Sequence, residues 1–437
     1  MKFYSTNRNS PLATFEEALM KGLADDGGLY MPESIPEFGK DFVGRLEEHS
    51  FREIAFLIAQ KFIEDEIEED DLKRIINEAI NFPAPVVQLE DDIYVLELFH
   101  GPTLAFKDFG ARFMAKAMGH FISKESRELN ILVATSGDTG SAVASGFYNT
   151  PGINVFILYP KGKVSHIQEM QLTTLDGNVT ALEIDGTFDD CQRLVKSAFV
   201  DTELNKILNL SSANSINFAR LLPQTFYYFE AYKQLKNKTG EIFFCVPSGN
   251  LGNLTAGLIA KEMGLPITKF IAATNANTTF AEFVMNGRFV PRDSVLTLSN
   301  AMDVGNPSNL ARIQSLYLDN LEVIRENIYS DSADDNLTVD TIRRVYENYK
   351  YVIDPHGAVG YYVMKKFLST HQTKNYSAVL LETAHPAKFL DVVEKKLNKK
   401  IEIPERLKNC LSKEKKSVPL SPNYKEFKSY LLDRNHN

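Results

Sequence analysis

The chain has 437 residues, with 48 Lys and Arg against 57 Asp and Glu, a formal net charge of −9. That length accommodates two or three domains around a substantial core. An acidic balance without any Lys/Arg block argues against nucleic acid as a partner, and apolar runs like those at 131–134 and 378–381 fall far short of the ~20 residues that cross a bilayer.

The N-terminal MKFYSTNRNSPLATF has no apolar stretch behind Lys2, which reads against a secretory signal. Cys191, Cys245 and Cys410 are odd in number and far apart, offering neither a disulfide framework nor a zinc pattern. The expectation is a cytoplasmic α/β chain without metal or membrane attachment.

Residues 1–92 read as a unit of their own. Apolar residues at three- and four-residue spacing predict helices over 14–22 and 51–63. Between them, Asp25-Asp26-Gly27-Gly28-Leu29-Tyr30-Met31-Pro32 is a turn-rich loop, and the acidic run 64–71 reads as a solvated helix start. No strand stands out in this region.

From residue 93 short β-rich segments alternate with helical patterns. The segments 93–99, 130–134, 154–159, 179–184, 241–246, 269–274 and 377–382 fit strands, and such alternation predicts mainly parallel, helix-covered sheet. The chain divides into halves over 93–235 and 236–437. Within the second, the Lys/Glu-rich stretch 395–437 reads as a loosely packed surface tail.

In open α/β sheets ligands bind beyond the carboxyl ends of strands, where helix N-termini present free N–H groups. Ser248-Gly249-Asn250-Leu251-Gly252-Asn253 lies between a strand and a helix and lacks the lysine of a Walker loop. It reads as a phosphate cup made of main-chain N–H groups, or else as an ordinary βα turn. Ser136-Gly137-Asp138-Thr139-Gly140 occupies a similar turn and suits a carboxylate, although taken alone it is better read as a plain helix cap at Asp138. Thr383 stands at a strand's carboxyl end with its hydroxyl available, a weak signal alone.

Lys107 differs from the chain's other lysines because it sits among Leu104, Phe106 and Phe109. A lysine in apolar surroundings loses proton affinity and becomes an amine nucleophile; a snorkelling surface lysine is the alternative. His100, His356 and His385 lie near predicted strand ends in structural or capping roles, and Tyr227 and Tyr228 read as core.

Together these segments resemble fold-type II pyridoxal-phosphate enzymes, and within them the threonine synthase family in its long form. HGPTLAFKDFGARFM is similar to the family's lysine segment, ATSGDTGSA and PSGNLGN to its substrate-facing and phosphate-cup loops, and DGGLYMP and NSINFARLLPQ to further family segments. These five motifs follow the family's order, and the resemblance runs from residue 1 to about 390.

The resemblance implies two open, mostly parallel α/β domains plus an N-terminal mainly helical domain, and a monomer. It implies pyridoxal 5′-phosphate as cofactor and conversion of O-phospho-L-homoserine and water to L-threonine and phosphate. Lys107 would form the Schiff base and move protons. Ser248, Gly249, Asn250, Leu251, Gly252 and Asn253 would hold the cofactor phosphate, and Thr383 would face the pyridine nitrogen. Ser136, Asp138 and Thr139 would surround the substrate carboxylate or the cofactor's 3′ oxygen. Many relatives carry Asn where Asp138 stands, and a carboxylate beside a phenolate repels it unless a proton is shared. The substrate phosphate needs a second anion site, for which Lys163, Ser165, Asn217, Arg220, Asn306, Ser308 and Arg312 are candidates. Another fold-type II lyase, such as a serine/threonine dehydratase or a phospho-lyase, is the nearest alternative. A non-catalytic binder of small phosphorylated ligands is the alternative outside enzymes.

Overall fold

The strand–helix alternation builds two separate sheets in the computed structural model, which describes residues 1–124, 128–236, 238–372 and 375–434. The larger sheet runs in the order Ile328–Ser332, Lys269–Thr274, Glu241–Pro247, Tyr376–Glu382, Ile93–Glu97, Val86–Glu90. Its neighbours are parallel except for the last pair, which is antiparallel. The smaller sheet runs Val418–Leu420, Val179–Ile184, Ile153–Pro160, Leu129–Ala134, Asn209–Ser211, parallel throughout. Strands such as Leu129–Ala134, buried at every residue, are apolar without alternation because helices cover both faces.

Sheet membership does not follow the division at residues 93 and 235. Ile93–Glu97 pairs with Tyr376–Glu382, with Val95 opposite Leu380, so the larger sheet is built from 86–97 together with 241–382. Val95 and Leu96 are fully buried and need a partner strand on each side, a pairing that apolar pattern alone does not name. The C-terminal stretch is also more than a loose tail. Val418–Leu420 extends the smaller sheet beside Val179–Ile184, and the helix Tyr424–Arg434 packs Phe427 and Leu431, one turn apart, into the cluster of Leu194, Val195 and Ala198. Its last three residues, 435–437, lie outside the described residues.

The N-terminal unit is mainly helical, with Thr14/Glu17 and Ser50/Glu53 forming capping boxes at the helices Phe15–Lys21 and Phe51–Ile63. It also contains an unanticipated antiparallel pair, Phe3–Ser5 with Tyr30–Pro32, three residues each. The apolar face of Phe51–Ile63 lies on the helix Phe218–Gln234, with the Phe62 and Phe218 rings 5.7 Å apart. That helix is buried from Phe218 to Tyr232 and packs against the helix Lys107–Ile122, where the Phe109 and Tyr227 rings are 5.3 Å apart.

Candidate active site

Lys107 is the first residue of its helix. The preceding turn, with Leu104 at a positive φ of 58°, runs along the end of the strand Tyr376–Glu382. Phe106 N–H donates to the Thr383 carbonyl at 2.9 Å and His385 N–H to the Leu104 carbonyl at 3.0 Å. Two segments far apart in sequence, one carrying the lysine and one the strand-end threonine, are thereby joined. Asp108 faces inward, accepting from Thr103 N–H at 2.8 Å and Thr103 Oγ1 at 2.7 Å. Burial pushes its carboxyl up to about 6 against those bonds. Burial also pulls the Lys107 amine down to about 8; attraction from Asp138 opposes the shift, and the cations of Arg220 and Lys388 add to it.

The segment 248–253 opens the helix Gly252–Glu262, whose start carries no side-chain cap. Leu251 adopts the left-handed region at φ 60°, a conformation an L side chain seldom takes and one that turns successive N–H groups toward one point. At Gly249 a Cβ would sit 2.9 Å from both the Ala301 carbonyl oxygen and Met302 Cα, so the loop tolerates no side chain there. The Asn253 Nδ2 amide is buried without a partner, while its Oδ1 accepts from Tyr227 Oη at 2.6 Å and Tyr228 Oη at 2.8 Å. A free helix N-terminus and an orphaned amide donor fit a phosphate group. The Asn250 side chain is committed, bonding Ser215 Oγ and accepting from Ser308 N–H at 2.6 Å, which leaves only its main chain for a ligand. Ser248 Oγ donates to the Val246 carbonyl at 2.8 Å.

The segment 136–139 opens the helix Asp138–Phe147, whose cap residue is Gly137 and so has no side chain to offer. Asp138 is therefore not the helix cap that its position alone suggests. Thr135 Oγ1 accepts from Gly137 N–H at 3.0 Å and Gly140 N–H at 2.9 Å, leaving Ser136 and Thr139 half-buried at the rim. The Asp138 carboxylate instead accepts from Gln168 Nε2 at 2.9 Å and pairs with Lys388 at 2.8 Å. Burial alone would raise the Asp138 carboxyl, but Lys388, Lys107 and the hydrogen bonds hold it well below the usual carboxylate range.

Of the residues expected to hold a second anion, Arg220 is the one brought to Lys107. It is 3% exposed, its Nη1 donates to the Ala213 carbonyl, and its Nε has no partner. Gly110, one turn after Lys107, makes this approach possible, since a Cβ there would lie 2.7 Å from the Arg220 carbonyl oxygen. Arg312 is different. Its Nε and Nη2 donate to the Tyr30 carbonyl at 3.1 and 3.0 Å, Nη2 also to Ile216, and Nη1 to the Ser215 carbonyl and Asn309 Oδ1. These bonds use all five donors of a guanidinium, so Arg312 ties segments together and leaves nothing for a ligand. Asn217 is likewise committed, to the Leu19 carbonyl at 2.7 Å and Ala219 N–H at 3.0 Å. Ser165 caps the helix His166–Thr173 through Gln168 N–H at 3.2 Å. Lys163, Asn306 and Ser308 are exposed.

Three further groups carry the site without a signal in the sequence. Lys388, in a turn that reads as an ordinary helix start, is buried beside Asp138. Tyr227 and Tyr228 are core as expected, but their hydroxyls also hold Asn253. Asp354 ties two loops, accepting from Ala384 N–H at 3.0 Å and contacting His356 Nδ1 at 3.0 Å, while His356 Nε2 accepts from Ala301 N–H at 3.2 Å. His356 thus braces the loop against which Gly249 packs. His385 caps its own turn through Ala387 N–H at 3.1 Å, and burial lowers it to about 4, leaving it neutral.

Comparison with known proteins agrees with this geometry along the whole chain. The family described as threonine synthase N terminus matches residues 2–80, pyridoxal-phosphate dependent enzyme matches 79–383, and threonine synthase, C-terminal, matches 357–431. A threonine synthase of Haemophilus influenzae is 44% identical over 436 residues, covering 99% of this chain and 100% of that one. The crystal structure of threonine synthase from Escherichia coli matches with a TM-score of 0.93 at 41% identity, over 99% of this chain and 100% of that chain. The structure of threonine synthase from Brucella melitensis with pyridoxal phosphate bound matches with a TM-score of 0.94 at 35% identity, over 100% of both. The chain belongs to the threonine synthase family of fold-type II, pyridoxal-phosphate-dependent enzymes.

Proposed function

We propose that the chain converts O-phospho-L-homoserine and water to L-threonine and phosphate, with the chemistry centred on Lys107. The segment Ser248, Gly249, Asn250, Leu251, Gly252 and Asn253 holds the cofactor phosphate through the uncapped helix start and the free Asn253 amide. Thr383 offers its hydroxyl to the pyridine nitrogen, a neutral partner that leaves the ring a moderate electron acceptor. When bound, pyridoxal phosphate supplies the delocalisation that stabilises negative charge beside the amino acid's α-carbon. Lys107 Nζ takes the α-proton, gives it up, and as free amine again takes a β-proton, a shuttle suited to an amine held near 8. Ser136, Thr139 and the N–H groups at the start of the helix Asp138–Phe147 hold the substrate carboxylate. Lys163, Asn306 and Ser308 are exposed and are not assigned to the substrate phosphate.

The observation that carries this reading is Arg220: a buried cation with an unpartnered Nε, on a different helix from the phosphate cup and packed on Gly110, one turn after Lys107. A leaving phosphate needs such a second anion site; a dehydratase does not. The test is phosphate release from O-phospho-L-homoserine with threonine measured in the same tube. Equal amounts of both support the reading. Phosphate without threonine indicates a phospho-lyase, and deamination of serine or threonine without phosphate release indicates a dehydratase. The reading also takes the enzyme to be a cytoplasmic monomer; the unpaired Cys191, Cys245 and Cys410 support a reducing compartment, and native mass spectrometry of the loaded chain tests the oligomeric state.

A further inference from the structure

Lys388 has no part in the reading above, yet it is among the most thoroughly enclosed charges in the described chain. It lies in the turn Pro386–Phe389, shortly after Thr383. Its side chain is 0% exposed and that of Asp138 4%, with the ions 2.8 Å apart. Its ammonium also donates to the Thr103 carbonyl at 2.9 Å, and Asp138 Oδ1 is further held by Gln168 Nε2. Such a pair is poor evidence of a stability device, since desolvating two charges rivals their mutual attraction. Its place is the telling feature. Lys388 meets the turn before Lys107 through the Thr103 carbonyl, and Ala105 bridges Ala384; from there the Asp138 charge favours the charged Lys107 amine and the Lys388 charge opposes it. Of the other titratable groups around them, Arg220 acts on Lys107, and Asp108 and the neutral His385 feel the Lys388 charge.

We propose that Lys388 is a positioning residue for the reaction: paired with Asp138, it cancels the carboxylate's charge at Lys107 and presents the cofactor's 3′ oxygen with a neutral pair in place of a bare anion. An asparagine at position 138 would offer that oxygen an uncharged group with an N–H donor. The Asp138–Lys388 pair has the same net charge and supplies its donor from the ammonium, which removes the repulsion a lone carboxylate would exert on a phenolate. Without Lys388, Asp138 would hold Lys107 protonated, and a protonated amine is neither nucleophile nor base.

The inference rests on Lys107 being the residue that carries the cofactor, and the experiment separates the two. Borohydride reduction of the loaded wild-type chain followed by peptide mapping labels Lys107; a label elsewhere defeats the reading of the site itself. With Lys107 labelled, the visible absorbance of the loaded chain is titrated against pH in wild type, Lys388→Gln and the double variant Asp138→Asn/Lys388→Gln. Lys388→Gln is expected to raise the midpoint by about one pH unit, tenfold in proton affinity, and the double variant to return close to wild type. A Lys388→Gln midpoint equal to wild type, or a double variant displaced as far as the single, overturns the proposal. If Lys388→Gln does not fold, the comparison is Asp138→Asn against the double variant, which leaves no unpaired charge. Lys107 reactivity toward limiting acetic anhydride is then read by mass spectrometry on the unloaded full-length chain. Asp138→Asn, retaining Lys388, is expected to show the lower midpoint by about one unit, and equal midpoints overturn the proposal.

Discussion

Arg312 gives two of its donors to the carbonyl of Tyr30, at 3.1 and 3.0 Å, fastening the N-terminal unit onto the helix Leu310–Leu316. Its remaining donors hold Ser215, Ile216 and Asn309, so the DGGLYMP and NSINFARLLPQ segments meet on one guanidinium. Arg312→Met strips several buried acceptors of their partners, at about 1–3 kcal/mol each. An unfolding free energy lower by about 3 kcal/mol or more in urea titration is expected, with the KM of the folded fraction for O-phospho-L-homoserine unchanged. A raised KM in chain of normal stability would place Arg312 in the ligand site instead.

Arg220 calls for the opposite pattern. Removing a charged donor from a buried anion contact costs about 1.5–3 kcal/mol, so Arg220→Gln should lower kcat/KM for O-phospho-L-homoserine by about 10- to 150-fold. Cofactor loading, followed by absorbance, should remain near wild type. Free phosphate should inhibit the wild type more than a monovalent salt of equal ionic strength and lose that advantage in the variant.

The tyrosine pair behind Asn253 bears on cofactor retention. Tyr227→Phe and Tyr228→Phe each delete one hydroxyl donor to Asn253 Oδ1, worth about 1 kcal/mol. Each should weaken cofactor binding about fivefold in equilibrium dialysis, and the double variant more than either single one. Unchanged retention in the double variant would confine both residues to packing.

Lys107 sets a pH dependence of its own. With its amine held near 8, about a tenth is neutral at pH 7, some 300-fold more than for an ordinary lysine. The rate of cofactor uptake by the unloaded chain should therefore climb up to about pH 8 and level off above it. Stability has a matching sign. Between about 8 and the ordinary 10.5 the folded chain binds fewer protons at this site than the unfolded one, so the unloaded fold gains stability as pH rises through that window. A rate that keeps climbing toward pH 10 would show an unperturbed amine.

The chemistry of the site was more legible in sequence than its scaffold. Lys107, the segment 248–253 and Thr383 each carry a local mark: a lysine among apolar neighbours, glycines at a helix start, a hydroxyl at a strand end. Membership of the larger sheet was not legible, because Ile93–Glu97 is as apolar as any strand of either sheet and its pairing with Tyr376–Glu382 is decided by packing. Arg312 and Arg220 look equivalent as letters, and only the carbonyls around one and the vacant Nε of the other separate them. Lys388 and Asp138 lie too far apart in sequence for any spacing rule to join them.

The bond from Lys388 to the Thr103 carbonyl spans 285 positions of the chain, and the ladder between 104–106 and 383–385 closes a loop of similar length. A ribosome making this chain extrudes Lys107 long before it has made Lys388, one of the two cations that add to the lowering of its basicity by burial. A chain that ends before residue 383 lacks both contacts, and with them the Lys388 charge that opposes protonation of Lys107.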